Sequence, residues 1–319
     1  MLKLFIMIPF YIQFPTPDGL SLPGLLFSPD STTKAAIYLH GFSGSAFYIH
    51  DFTLEEEFNK NNIALLRFNN RGAELIKRLT IEKDNKEESL SRTTLVRDKY
   101  FGAAYEKIKE CIKDIDAAVS LLEQKGYKEI YLIGNSTGAN KICVYNYYRP
   151  QNKIARYILI AGGDDTGHHY ASLGKDKFSQ LLKKAKEKID EGAGEEIICD
   201  LLPGEIISWQ SFLDVCNPDG DYNVFPFYEV INNIKLSREP LFRHFQSIKK
   251  PSLVVYGEQD EHSWGDVGRI IEILKKYQPK FIPHQIGAGF DYKIIPGADH
   301  RFRDKKKELA EVIINWLKD

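Results

Sequence analysis

Apolar residues along this chain gather in short continuous runs. Between the runs they recur at helical spacing. Runs at residues 35–39, 63–68, 129–133, 157–161, 252–256 and 292–295 predict buried strands. Amphipathic spacing predicts helices over 54–59, 105–125, 139–148, 266–277 and 305–317. The chain opens with a predicted strand at 10–14, a turn at Pro17-Asp18-Gly19 and a second strand at 20–28. Strands that are apolar on both faces and alternate with helices predict a mostly parallel sheet flanked by helices.

Two stretches break this rhythm. Residues 73–100 are charged and irregular, with a solvated run from Glu82 to Glu88. Residues 166–245 show helical patterns at 175–191 and 195–202, then Trp209, Phe212, Phe225, Phe227 and Tyr228 among Pro and Gly. This stretch is expected to be a helical cap, inserted over the carboxyl edge of a core made of residues 1–165 and 246–319.

The chain has 319 residues, enough for one large core with an insertion. It carries 43 Lys+Arg against 44 Asp+Glu, so charge offers no case for a nucleic-acid partner. Cys111, Cys143, Cys199 and Cys216 show neither paired nor metal-ligand spacing. They read as thiols of a reducing compartment and suggest a cytoplasmic location. Residues 2–14 are apolar but too short to span a bilayer, so stable membrane insertion is not expected. No sequence feature bears on oligomeric state.

The chemistry centres on Gly134-Asn135-Ser136-Thr137-Gly138, which matches G-x-S-x-G. A predicted strand precedes it and a predicted helix follows. In that context the serine occupies a sharp turn, with glycines where strand and helix pass closely. A serine hydroxyl needs a base. His300, in the loop after the last strand, is the best-placed histidine, whereas His40 suits loop shaping. The acid that orients the base is expected just past a strand. Asp260 is favoured, with Glu258, Asp164 and Asp165 as rivals. Two main-chain donors for an oxyanion are expected from Thr137 and, in the loop His40-Gly41-Phe42-Ser43-Gly44, from Phe42.

The order Ser136, Asp260, His300, with the His40-Gly41 loop and the Asn69-Asn70-Arg71-Gly72 turn, resembles the α/β-hydrolase superfamily across nearly the whole chain outside the cap. The resemblance implies an α/β-hydrolase fold and serine hydrolase chemistry, most often on carboxylic esters. The Ser136-Thr137-Gly138-Ala139-Asn140 form of the elbow is similar to a branch that contains fungal siderophore esterases. Asn135 departs from the His or Asp of many esterases at the pocket rim.

The expected function is therefore a carboxylester hydrolase acting through an acyl-enzyme, with no cofactor. The expected partner is a small-molecule ester with an apolar or aromatic acyl group. Acyl transfer, amide cleavage and non-catalytic ligand binding on the same fold are the alternatives. Substrate contacts are sought at His40, Gly41, Asn135, Trp209, Phe225 and Phe227; the aromatic residues could equally hold the cap onto the core. Asp164-Asp165-Thr166-Gly167-His168-His169 places two carboxylates and two imidazoles together, but at no zinc or calcium spacing, so no metal is assigned.

Overall fold

The computed structural model describes residues 8–48, 52–81, 97–198, 201, 205–279 and 289–318. In chain order the core begins with β1 (Phe10–Pro15), β2 (Ser21–Phe27), β3 (Lys34–Leu39), α1 (Thr53–Lys60) and β4 (Ala64–Phe68). There follow β5 (Lys77–Ile81), β6 (Arg97–Phe101), α2 (Cys111–Gln124), β7 (Glu129–Asn135), α3 (Thr137–Tyr148) and β8 (Ile154–Ile160). The middle stretch holds α4 (Asp165–Leu173), α5 (Lys175–Asp190), β9 (Ile197–Ile198), β10 (Ile207–Ser208), α6 (Trp209–Cys216), α7 (Phe227–Ile231) and α8 (Arg243–Gln246). The chain closes with β11 (Ser252–Gly257), α9 (Val267–Tyr277), β12 (Phe290–Ile295) and α10 (Lys306–Lys318).

Eight strands form one sheet in the order β1-β2-β4-β3-β7-β8-β11-β12. β1, β2 and β4 pair antiparallel, and every pairing from β4 to β12 is parallel. Consecutive residues Ile130, Tyr131, Leu132 and Ile133 are all essentially sealed from solvent. A strand buried on both faces needs cover on both. α1 packs with α10, while α2 and α8 pack with α3. This arrangement is the α/β-hydrolase fold.

Three local expectations change. The helix expected from residue 105 begins only at Cys111, after two short 3₁₀ turns at Ala103–Tyr105 and Ile108–Glu110. The Ile108 N–H is drawn instead to the Asp214 carboxylate of α6, at 2.6 Å. Within the helix expected at 195–202, Ile197–Ile198 is instead extended and pairs antiparallel with Ile207–Ser208. Gly192, at φ 80°, ends α5, and the β-branched Ile pair suits extended backbone. Within 73–100, β5 and β6 pair antiparallel. The charged run from Glu82 to Glu88 lies outside the described residues, as do residues 2–7 and Cys199.

The stretch between β8 and β11 divides in its packing. α4, α5 and α6 pack on one another. α8 instead rests on α3, and its Phe245 ring meets Phe290 of β12 at 4.8 Å. Among the described residues, no helix is long and apolar enough to cross a membrane.

Candidate active site

Ser136 sits where β7 turns into α3, with φ 55° and ψ −124°. Few residues other than glycine hold this backbone shape. The flanking glycines permit it. A Cβ on Gly134 would lie 2.2 Å from the Gly138 oxygen, and one on Gly138 would lie 2.3 Å from the Leu39 oxygen. The strand, helix and β3 loop thus meet backbone to backbone around the serine. Asn140, one turn along, holds the next loop through a pair of bonds: its Nδ2 donates to the Gly163 carbonyl and its Oδ1 accepts the Gly163 N–H.

His300 lies between the serine and an acid. Its Nε2 is 3.0 Å from Ser136 Oγ, and its Nδ1 is 2.9 Å from Asp260 Oδ1. Asp260 is buried beyond β11, and its Oδ1 also accepts the His262 N–H at 2.9 Å. The three residues sought from sequence therefore meet in one chain of hydrogen bonds. The rivals for the acid lie elsewhere in the bonding. Glu258 accepts the Gly297 N–H, and Asp164 caps α4 by accepting from Gly167 and Tyr228. Asp165 lines the same cavity as Ser136 without a bond to His300.

The loop after β3 closes over the serine. A Cβ on Gly41 would stand 2.9 Å from Ser136 Cβ, so Gly41 and the elbow are in contact. Gly44 N–H donates to the Gly41 carbonyl, which tightens the turn. Asn69 Oδ1 accepts from Ser45 Oγ and the Ala46 N–H, fixing the far end of the loop. Thr137 opens α3, so its N–H has no partner within the helix. Phe42 follows Gly41 at the cavity, with its side chain partly exposed.

His40 is buried behind this loop, and its Nδ1 donates to the Gly41 carbonyl at 2.8 Å. Burial, reinforced by the Lys141 charge, pushes its pKa down to about 3. It is a neutral imidazole that shapes the loop.

A cavity of about 630 Å³ opens over Ser136. His40, Gly41 and Asn135 line it. Trp209, Phe225 and Phe227 are not among its lining residues. Phe225 and Phe227 stack at 5.7 Å and continue through Phe242 and Phe245 to Tyr277 and Phe290. The Phe225 ring also lies against Gly162, where a Cβ would come within 2.5 Å of it. These rings join the middle stretch to the core, because aromatic faces bury more area against each other than against an open cavity.

At and beside the cavity stand groups that sequence reasoning missed as site residues. Glu261 accepts the His300 N–H at 3.0 Å. The His262 ring stands edge-on to His300 at 4.6 Å. His168 stacks on Trp264 at 4.1 Å and bonds the His262 carbonyl. His169 bonds Glu205 at 2.6 Å. Burial disfavours the charged form of His169, but Glu205 outweighs it and the pKa rises. The sequence held two signals for this group, the run Asp260-Glu261-His262 and the paired imidazoles of the Asp164–His169 run. Among the described residues, no group of His, Cys, Asp or Glu is arranged to hold a metal ion.

A family described as "Protein of unknown function (DUF1749)" matches residues 86–318. The chain belongs to that family. The matched span takes in Ser136, Asp260 and His300, so this DUF1749 chain carries all three within its family region. No curated protein matches it by sequence.

Solved structures do resemble it in fold. Est1E from Butyrivibrio proteoclasticus, solved with ferulic acid bound, is 16% identical with a TM-score of 0.58, covering 96% of this chain and 98% of Est1E. The α/β-hydrolase GrgF from Penicillium sp. sh18 is 14% identical with a TM-score of 0.62, covering 98% and 97%. The Pyrococcus furiosus esterase Pf2001 is 17% identical with a TM-score of 0.55, covering 98% and 92%.

Proposed function

We propose that this chain is a serine hydrolase of small-molecule carboxylic esters. The observation that carries the reading is His300, within hydrogen-bond reach of Ser136 Oγ on one side and Asp260 on the other. Ser136 Oγ attacks the ester carbonyl carbon and passes its proton to His300 Nε2. Asp260 holds the imidazole and stabilises its charged form. The N–H groups of Phe42 and Thr137 take the oxyanion. The alcohol leaves with the proton from His300, and an acyl group remains on Ser136. Water, deprotonated by His300, then releases the acid. The nucleophile, base and acid are all side chains of this chain, so the cycle needs no cofactor.

In this reading residues 166–245 act as a cap that closes one side of the cavity, and residues 1–165 and 246–319 carry the machinery. Pf2001 is called an esterase, which agrees with an ester substrate here. The buried cysteines fit a reducing, cytoplasmic setting.

Ser136→Ala is expected to lower turnover of short p-nitrophenyl esters by about 10⁴-fold or more. A fluorophosphonate probe is expected to label wild-type protein at Ser136. Undiminished turnover in the variant would sink the assignment.

A further inference from the structure

The wall of the cavity carries polar capacity that the protein itself leaves unused. Five of its lining residues each carry a buried atom with no hydrogen-bond partner among the described residues: His40 Nε2, Arg67 Nε, Asp165 Oδ2, Glu205 Oε2 and the Tyr222 hydroxyl, which can donate or accept. Buried polar atoms are nearly always partnered, so several among the residues that line one cavity call for an explanation. The rest of these side chains is committed. Arg67 pairs with Glu55 and lies 4.5 Å over the Tyr38 ring. Glu205 uses its other oxygen for His169. His40 donates through Nδ1, which leaves Nε2 as an acceptor.

The missing partner must therefore donate to Asp165, Glu205 and His40 and accept from Arg67. An ammonium group only donates, and it would face Arg67 and Arg301 in the same cavity. A carboxylate or phosphate only accepts, and it would face Asp165 and Glu205. An alkyl or aryl group satisfies none of them. A hydroxyl both donates and accepts.

We infer that the substrate of Ser136 is a hydroxyl-rich ester, of a polyol or a sugar acid, with Asp165 and Glu205 accepting from its hydroxyl groups. The inference rests on the serine-hydrolase reading and sets the class of ester within it. It also replaces an apolar or aromatic acyl group with a polar one, because the rings that would have held such a group stack on each other away from the cavity.

The test uses the full chain and two matched ester pairs. Glycerol 1-butyrate is compared with 2-methylbutyl butyrate, and methyl gluconate with methyl hexanoate. In at least one pair, kcat/KM for the hydroxylated ester is expected to exceed that of its alkyl counterpart by about tenfold or more. Asp165→Ala is expected to compress that ratio, and the conservative Glu205→Gln to compress it in a protein that keeps its size and fold. Brisk turnover with parity or alkyl preference in both pairs overturns the inference and leaves the hydrolase reading standing. An unchanged ratio in both variants also overturns it. No turnover of any ester, with Ser136 unlabelled by a fluorophosphonate, overturns both.

Discussion

At the scale of single residues, the site depends on backbone that most side chains resist. Ser136 holds φ 55° and ψ −124°, and the neighbouring glycines exist so that three backbone segments can approach it. Strain of this kind costs about 1–3 kcal/mol per residue and persists where packing enforces it. Alanine keeps the Cβ and the strain, whereas glycine releases it. Ser136→Gly is therefore expected to be more stable than Ser136→Ala by about 1–2 kcal/mol in urea unfolding. Equal midpoints and slopes would mean that the elbow is relaxed in solution. Both variants lack the Ser136 hydroxyl, so the comparison isolates backbone conformation from chemistry.

At the scale of elements, the core was legible because the central strands, such as β7 and β11, are buried on both faces and most flanking helices on one. β7 and α3 follow directly from Ile130–Ile133 and the apolar positions after Gly138. The start of α2 was not legible. It is set by Asp214 of α6, distant in sequence, which accepts the Ile108 N–H. That contact has a consequence for stability. Burial raises the Asp214 pKa to about 7, the charges of Glu106 and Asp221 add to the rise, and the Ile108 bond opposes it. An unfolded aspartate titrates near 3.9. Between those two values the native state binds the extra proton, so the contribution of Asp214 to stability is full at low pH and is lost as pH rises towards about 7. Asp214→Asn keeps an oxygen for the Ile108 N–H and carries no charge. Its melting temperature relative to wild type is expected to rise from pH 5 to pH 8. A difference that shrinks over that range would contradict a buried, reluctant carboxylate.

At the scale of the whole molecule, the order of Ser136, Asp260 and His300 was readable because each stands just past a strand of a parallel sheet, and such a sheet gathers those ends along one edge. The role of the aromatic residues was not readable. Whether Phe225 faces a substrate or Gly162 depends on how residues 166–245 fold back, which spacing along the chain does not encode. The Asn69-Asn70-Arg71-Gly72 turn was noticed only as a resemblance, and its work is global. Arg71 is buried and bonds Asp114 through its side chain and its N–H, and its guanidinium also reaches Asp18 and Glu110. It thereby ties the first hairpin turn and α2 to the turn whose Asn69 fixes the loop over Ser136. Removing one partner of a buried pair leaves the other charge without compensation, at a cost of about 3–5 kcal/mol. Arg71→Ala is expected to destabilise the chain by that amount in urea unfolding, since Asp114 has no exposure. Replacing both partners with leucine removes the stranded charge, so Arg71→Leu/Asp114→Leu is expected to be more stable than Arg71→Ala. A double variant less stable than the single one would mean that the bonds to Asp18 and Glu110, rather than the buried charge of Asp114, carry the energy of this junction.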